Sequence, residues 1–133
     1  MPGGLSVAQL EFLSCLAENP AARPGQVARM LRLAPSSVAT LVNGLASRGL
    51  VIRTGGVADR RTAVLDLTPA GHAVLGDWQD VNEQILAAAL TALPAAGRRS
   101  LNSSLPALRQ LTSAVDALAD ETSPAAGPPS RFP

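Results

Sequence analysis

The stretch Leu33-Ala34-Pro35-Ser36-Ser37-Val38-Ala39-Thr40-Leu41-Val42-Asn43-Gly44-Leu45-Ala46-Ser47-Arg48-Gly49-Leu50-Val51 decides the fold, together with Asp59-Arg60-Arg61 and Leu67-Thr68-Pro69-Ala70-Gly71 further on. Pro35 suits the first turn of a helix, where its missing N–H costs nothing and its fixed φ is already helical. Val38, Leu41, Val42 and Leu45 then recur at helical spacing and predict a buried face. Ser36, Ser37, Thr40, Asn43 and Ser47 fall on the other side. The helix is expected to run to about Arg48, with Gly49 as its stop. The period then changes to two. Residues 50–53 read as a strand, 54–59 as a glycine-containing turn, and 62–67 as the returning strand. Thr68 and Pro69 restart a helix as N-cap and first-turn proline.

Upstream, Ser6 with Gln9 three residues on has the form of a capping box, and Val7, Leu10, Leu13 and Leu16 or Ala17 follow at helical spacing. Asn19-Pro20 ends that helix, because proline disfavours helical geometry in the residue before it. Pro24 can open a second helix with Val27, Ala28 and Leu31 on its apolar face, and Leu33-Ala34 is a tight connection to the third. Three short helices with a brief turn between the last two, followed at once by a hairpin, predict a winged helix-turn-helix. The expected fold is therefore mainly α with a small β-hairpin wing. Downstream, Val74, Trp78, Val81 and Ile85 make one apolar stripe, and Leu75, Leu86, Leu90 and Leu93 a second. Pro94 marks a break. Leu101, Leu105, Leu108, Leu111, Val115 and Leu118 then step close to a coiled-coil seam, with Pro106 expected to kink it. The expected organisation is a winged region over 1–68, long C-terminal helices over 69–121, and a compositionally disordered tail over 122–133.

The formal net charge of +1 over 133 residues hides an uneven distribution. Between positions 19 and 62, Arg23, Arg29, Arg32, Arg48, Arg53, Arg60 and Arg61 face Asp59 alone, a net of +6. Between 63 and 122, seven carboxylates face Arg98, Arg99 and Arg109, a net of −4. A basic segment within a near-neutral chain points to a polyanion partner. The single cysteine, Cys15, and single histidine, His72, exclude a disulfide framework and argue against a metal site. No basic region precedes an apolar run at the N-terminus, and no apolar stretch suits a bilayer, so a cytoplasmic protein without a membrane partner is expected. No convergent set of titratable residues supports catalysis, and no cofactor is implied.

The polar face of the third helix carries hydroxyls and an amide where an ordinary solvated face would carry Glu, Lys or Arg. Such side chains are small enough to enter a major groove. Arg60 and Arg61 lie at the hairpin end, where a guanidinium can reach a narrow minor groove and its phosphates. Arg53 on the outgoing strand and Arg32 near the turn are candidate phosphate contacts.

With these motifs and their spacing, the sequence resembles the MarR family of winged helix-turn-helix transcription regulators over about residues 5–118. The resemblance implies a sequence-specific double-stranded-DNA-binding regulator, a ligand-responsive repressor working as a homodimer. It matches Asp59 and Arg61 to the Asp-x-Arg pair of the family's wing, the arginine contacting DNA and the aspartate orienting it. The dimer interface would fall on Val81, Ile85, Leu101, Leu105, Leu108, Leu111, Val115 and Leu118. His72 and Trp78 lie near where family members bind small aromatic effectors, although Trp78 on an apolar stripe also reads as core or interface.

Three departures stand out. Only Met1 to Gly4 precede the first helix, where relatives carry a long helix of the dimer interface; either the chain starts late or its two C-terminal helices dimerise alone. Thr40 and Gly44 stand near positions where the family often has Arg or Lys, and Gly44 costs ~1 kcal/mol of helix stability against alanine. Ala34 stands where a capping serine is common, giving up about 0.5–2 kcal/mol. The alternative reading is an interaction module that pairs with another regulator and binds little DNA itself. Cys15, amid Phe12, Leu13 and Leu16 with no cation nearby, is expected to be a packed thiol rather than a sensor.

Overall fold

The protein's structure is a computed structural model that describes residues 4–122. Three helices come first: α1 (Val7–Glu18), α2 (Pro24–Leu31) and α3 (Pro35–Ser47). An antiparallel hairpin of β1 (Val51–Thr54) and β2 (Val64–Leu67) follows, then α4 (Pro69–Ala92) and α5 (Ala95–Thr122). The architecture is the mainly helical, winged arrangement that the sequence predicts. Residues 123–133, and with them almost all of the predicted tail, lie outside the described residues; Thr122 is the last residue of α5.

Cap chemistry places the helix boundaries. Ser6 Oγ accepts the Gln9 N–H at 3.3 Å and Gln9 Oε1 accepts the Ser6 N–H at 2.9 Å, completing the capping box. On α2, Gln26 Oε1 accepts the Arg23 N–H at 2.8 Å. The turn from α2 to α3 is made by Arg32 in the left-handed region (φ 52°), with the Leu33 N–H donating to the Ala28 carbonyl at 2.9 Å. Ala34 provides no side-chain cap to α3.

The hairpin pairs Val51 with Leu67 and Arg53 with Leu65. It is one residue later at its start than the expected strand, and its return begins at Val64 rather than Thr62. The cause is local. The Asp59 carbonyl accepts both the Thr62 N–H (3.0 Å) and the Thr62 hydroxyl (2.7 Å), winding Arg60–Thr62 into a 3-10 turn. The connection between α1 and α2 adds a short third edge: the Leu65 N–H donates to the Ala22 carbonyl at 2.8 Å, and the Ala21 N–H to Asp66 Oδ1 at 2.6 Å.

One apolar core holds α1, α2, α3, the hairpin and the start of α4 together. Leu10, Phe12, Leu13 and Leu16 from α1, Val27 from α2, Val38 and Leu45 from α3, and Leu65 from β2 are all essentially inaccessible. Val38, Val42 and Leu45 are buried and Leu41 is partly so, which is the apolar face expected of α3. Cys15 lies in this core, and burial, reinforced by Glu18, pushes its thiol pKa up.

The end of α3 and the start of α4 are joined through Thr68. Gly49 takes φ +69° and the Leu50 N–H closes on the Leu45 carbonyl at 3.0 Å. The Thr68 hydroxyl donates to the Gly49 carbonyl at 2.6 Å and accepts the Gly71 N–H at 3.0 Å, while the Thr68 N–H donates to the Leu50 carbonyl at 3.1 Å. Gly71 is buried against that same Leu50 carbonyl, with no room for a Cβ. Leu75 is buried one turn on, and Val74 and Trp78 pack against the core.

Among the described residues the chain divides within α4 into two compact units, 4–85 and 86–122. In the second, Arg98 Nη1 donates to the Leu90 (3.5 Å) and Thr91 (3.2 Å) carbonyls, capping the C-terminal end of α4 across the predicted break at Pro94. Helix α5 continues through Pro106, and none of its described residues is buried. Among the described residues no helix is long and apolar enough to cross a membrane.

Gly71→Ala is expected to destabilise the fold. Overpacking against the Leu50 carbonyl costs about 1–3 kcal/mol, which outweighs the up to ~1 kcal/mol that alanine adds to a helix. Gly76→Ala on the same helix meets nothing within 4 Å, so it should stabilise by that propensity term alone. Urea midpoints at unchanged m-value measure both, and equal signs for the two substitutions would contradict the close approach.

Candidate nucleic-acid interface

Helix α3 presents Ser36, Ser37, Thr40, Asn43 and Ser47 to solvent, all five exposed. Their hydrogens are not all available. The Thr40 hydroxyl donates to the Ser36 carbonyl at 3.0 Å, and the Ser47 hydroxyl to the Gly44 carbonyl at 2.9 Å. Both hydroxyls therefore face outward as acceptors, the complement of the adenine N6 and cytosine N4 amino groups in a major groove. Asn43 supplies both a donor and an acceptor. Gly44 has only Gln9 Nε2 near a prospective Cβ, at 3.9 Å, so packing does not demand glycine there.

The positive charge that α3 lacks is supplied beside it. Arg23, Arg29, Arg53 and Arg61 line one open cleft of about 560 Å³, with Pro24, Gly25, Gln26 and Pro35 completing its wall. No carboxylate is among these lining residues. Between this cleft and α3 lies a smaller apolar hollow of about 120 Å³, lined by Val38, Ala39, Val42 and Asn43 among others and sharing Arg53 with the cleft. A phosphate chain passing along the cleft would meet guanidinium groups without crossing a like charge.

Arg53 and Arg61 thus meet in space although the turn separates them in the chain. Arg32 sits at the far end of α2 and is not among the lining residues. The backbone of Arg60 opens the 3-10 turn, and its side chain lies outside what the structure describes. Arg23 and Arg29 belong to the basic segment, but nothing in their spacing within the sequence shows that α2 opens toward the wing. Only the local charge excess pointed toward them.

The wing pair has defined geometry. Asp59 Oδ1 accepts the Arg61 Nε–H at 3.2 Å and the Arg61 backbone N–H at 3.0 Å. The Arg61 side chain remains 90% exposed, so one guanidinium edge is held while the rest stays available. The Arg61 side chain, and then its backbone N–H, hold the Asp59 carboxyl below its ordinary pKa. As an exposed ion pair it adds little to global stability, and its effect is on the orientation of Arg61. Of the two candidate pocket residues, His72 is exposed and Trp78 is half-buried against the core.

Helix-turn-helix, hairpin and arginine-lined cleft define this unit as a winged helix. The comparisons with known proteins specify it further. A profile of the MarR family matches residues 3–62. Streptococcus pneumoniae FabT, solved in complex with DNA, superposes with a TM-score of 0.70 at 20% identity, covering 84% of this chain and 78% of that one. The YusO protein from Bacillus subtilis does so at 0.71 and 25% identity, over 80% and 76%. Bordetella bronchiseptica BpsR, whose DNA binding is regulated by 6-hydroxynicotinic acid, gives 0.60 and 25%, over 83% and 76%. No curated protein matches. Residues 3–62 thus match the MarR family model, and the fold is the winged helix shared with these solved regulators.

Titration of the Asp59 carboxyl by NMR should have a midpoint below the ordinary value of about 3.9, and Arg61→Gln should raise it. The order that the pair lends to the turn is complete above about pH 4 and is lost only as pH falls through the depressed midpoint. A midpoint unmoved by Arg61→Gln would remove the arginine as its cause.

Proposed function

We propose that the protein is a sequence-specific double-stranded-DNA-binding transcriptional regulator, a ligand-responsive repressor that acts in the cytoplasm as a homodimer and not as an enzyme. The observation that carries this is the uncharged, acceptor-bearing face of α3 set beside the cleft of Arg23, Arg29, Arg53 and Arg61. In this reading Ser36, Ser37, Thr40, Asn43 and Ser47 meet base edges. Arg61, oriented by Asp59, reaches the adjacent minor groove, and Arg23, Arg29, Arg53, Arg60 and Arg32 neutralise phosphates. The division of labour is physical: base edges need small hydrogen-bonding groups in register, whereas phosphates need only charge within reach.

The C-terminal helices support the dimer. Leu101, Leu105, Leu108, Leu111, Val115 and Leu118 are 44–62% exposed, and Val81 and Ile85 on α4 are exposed as well. An aliphatic seam of this length is the kind of surface that monomeric proteins avoid presenting to water, and its 3–4 spacing matches helix-against-helix packing. Residues 69–121 would then form the dimerisation part and 1–68 the DNA-binding part. The effector is proposed to be a small aromatic molecule, by analogy with the regulation of BpsR by 6-hydroxynicotinic acid. His72 is an exposed candidate contact for it; Trp78, already packed against the core, would act at most through its free edge.

Gel shift against duplex DNA should show binding at low salt that weakens as salt rises, with log K falling by about 0.9 per phosphate neutralised. Arg61→Ala should weaken it on the order of tenfold and flatten the salt slope by about 1 per protomer. Absence of binding at low salt, or an unaltered slope in the variant, would refute the assignment.

Light scattering at micromolar concentration should report a dimer, and Leu108→Asp with Leu111→Asp a monomer that keeps its helical circular dichroism. A wild-type monomer would overturn the proposed interface.

A further inference from the structure

The tip of the wing, Gly55-Gly56-Val57-Ala58, bears no charge and no side-chain hydrogen-bonding group, although Arg53 and Arg61 flank it. Gly55 and Gly56 adopt φ of +76° and +78°, backbone that glycine takes at least cost. A Cβ on Gly56 would collide with Ala63, so the two sides of the loop close on each other and leave Val57 at the end. Val57 is 101% exposed, whereas the other exposed large hydrophobic residues of the first unit reach at most 62%. Scattered aliphatic residues on a flat surface need no explanation. This one stands at the tip of a loop whose root carries two of the four arginines of the basic cleft.

We propose that Val57 is a specificity-determining residue: the uncharged wing tip enters the minor groove, and its isopropyl group selects A·T pairs there over G·C. This rests on the DNA-binding function proposed above and adds a determinant that the arginines do not supply. A minor groove about 6 Å wide admits a tip built of two glycines, a valine and an alanine. The floor of an A·T pair offers only acceptors, whereas G·C adds the guanine N2 amino group, which protrudes and donates. An aliphatic group over that amino group meets its bulk and strips it of water without replacing the hydrogen bond. A covered acceptor is cheaper to leave under-satisfied than a covered N–H. Arg61 at the wing root favours the same narrow A·T groove, but through its negative potential and therefore in a salt-sensitive way.

The test uses the full chain and a duplex recovered by selection from random DNA, with the wing-contacted pairs located by hydroxyl-radical footprinting. Those pairs are then changed from A·T to I·C and to G·C. Inosine keeps the major-groove edge of guanine but lacks the N2 amino group. Wild type should bind the A·T and I·C duplexes alike and the G·C duplex about tenfold more weakly, the order of one contacted base pair. Val57→Ala should narrow that gap, and Val57→Asn, whose amide oxygen can accept from N2, should close or invert it. Neither substitution touches the core, so thermal melts should coincide with wild type. Equal affinity for I·C and G·C duplexes in the wild type, or a gap unchanged in both variants, overturns the inference while leaving DNA binding intact. No binding to any duplex at low salt overturns both.

Discussion

The winged domain depends on one close approach, that of Gly71 at the start of α4 to the Leu50 carbonyl at the end of α3. Leu50 lies between α3 and the wing, and Thr68 between the wing and α4. Thr68 bonds the two junctions to each other through the Gly49 and Leu50 carbonyls. Three elements, α3, the hairpin and α4, are thus tied at a single point. A side chain at position 71 would push α4 off that point, and with it Leu75, Val74 and Trp78, which seal the core from that side.

Around that junction charge and hydrogen-bonding capacity are separated. Helix α3 bears no cation and spends the hydroxyl hydrogens of Thr40 and Ser47 on its own carbonyls, so those two hydroxyls face outward as acceptors. The guanidinium groups come from α2, β1 and the wing turn, and they converge on one cleft. Positive charge and the hydrogen-bonding groups of α3 therefore sit on different elements. The departures noted in α3, an uncapped N-terminus at Ala34 and a glycine at 44 that packing does not require, weaken the helix by itself. Burial of Val38, Val42 and Leu45 holds it in place instead, since tertiary packing outweighs propensity over so short a helix.

Much of this was legible beforehand because its signals are local. Capping of α1 by Ser6 and Gln9, proline starts at 24, 35 and 69, and the stop at Gly49 each depend on a few neighbouring residues, and each is where the spacing places it. The strand ends were less legible, because the 3-10 turn at Arg60–Thr62 depends on how Asp59 divides its hydrogen bonds. The convergence of Arg23 and Arg29 with Arg53 and Arg61 was not legible at all. Residues 30 positions apart meet only once α2 has docked beside the hairpin, and no periodicity within one element encodes that.

By itself the sequence determined the element order, most helix boundaries, the apolar face of α3 and the excess of arginine over positions 19–62, because caps, periodicity and charge are properties of short segments. The tertiary structure alone decided which arginines share a cleft, which hydroxyls of α3 are left as acceptors, why position 71 must be glycine, and that Val57 ends the wing. Those facts depend on approach between residues distant in the chain, or on how backbone groups are satisfied after packing, and neither is written in any one stretch.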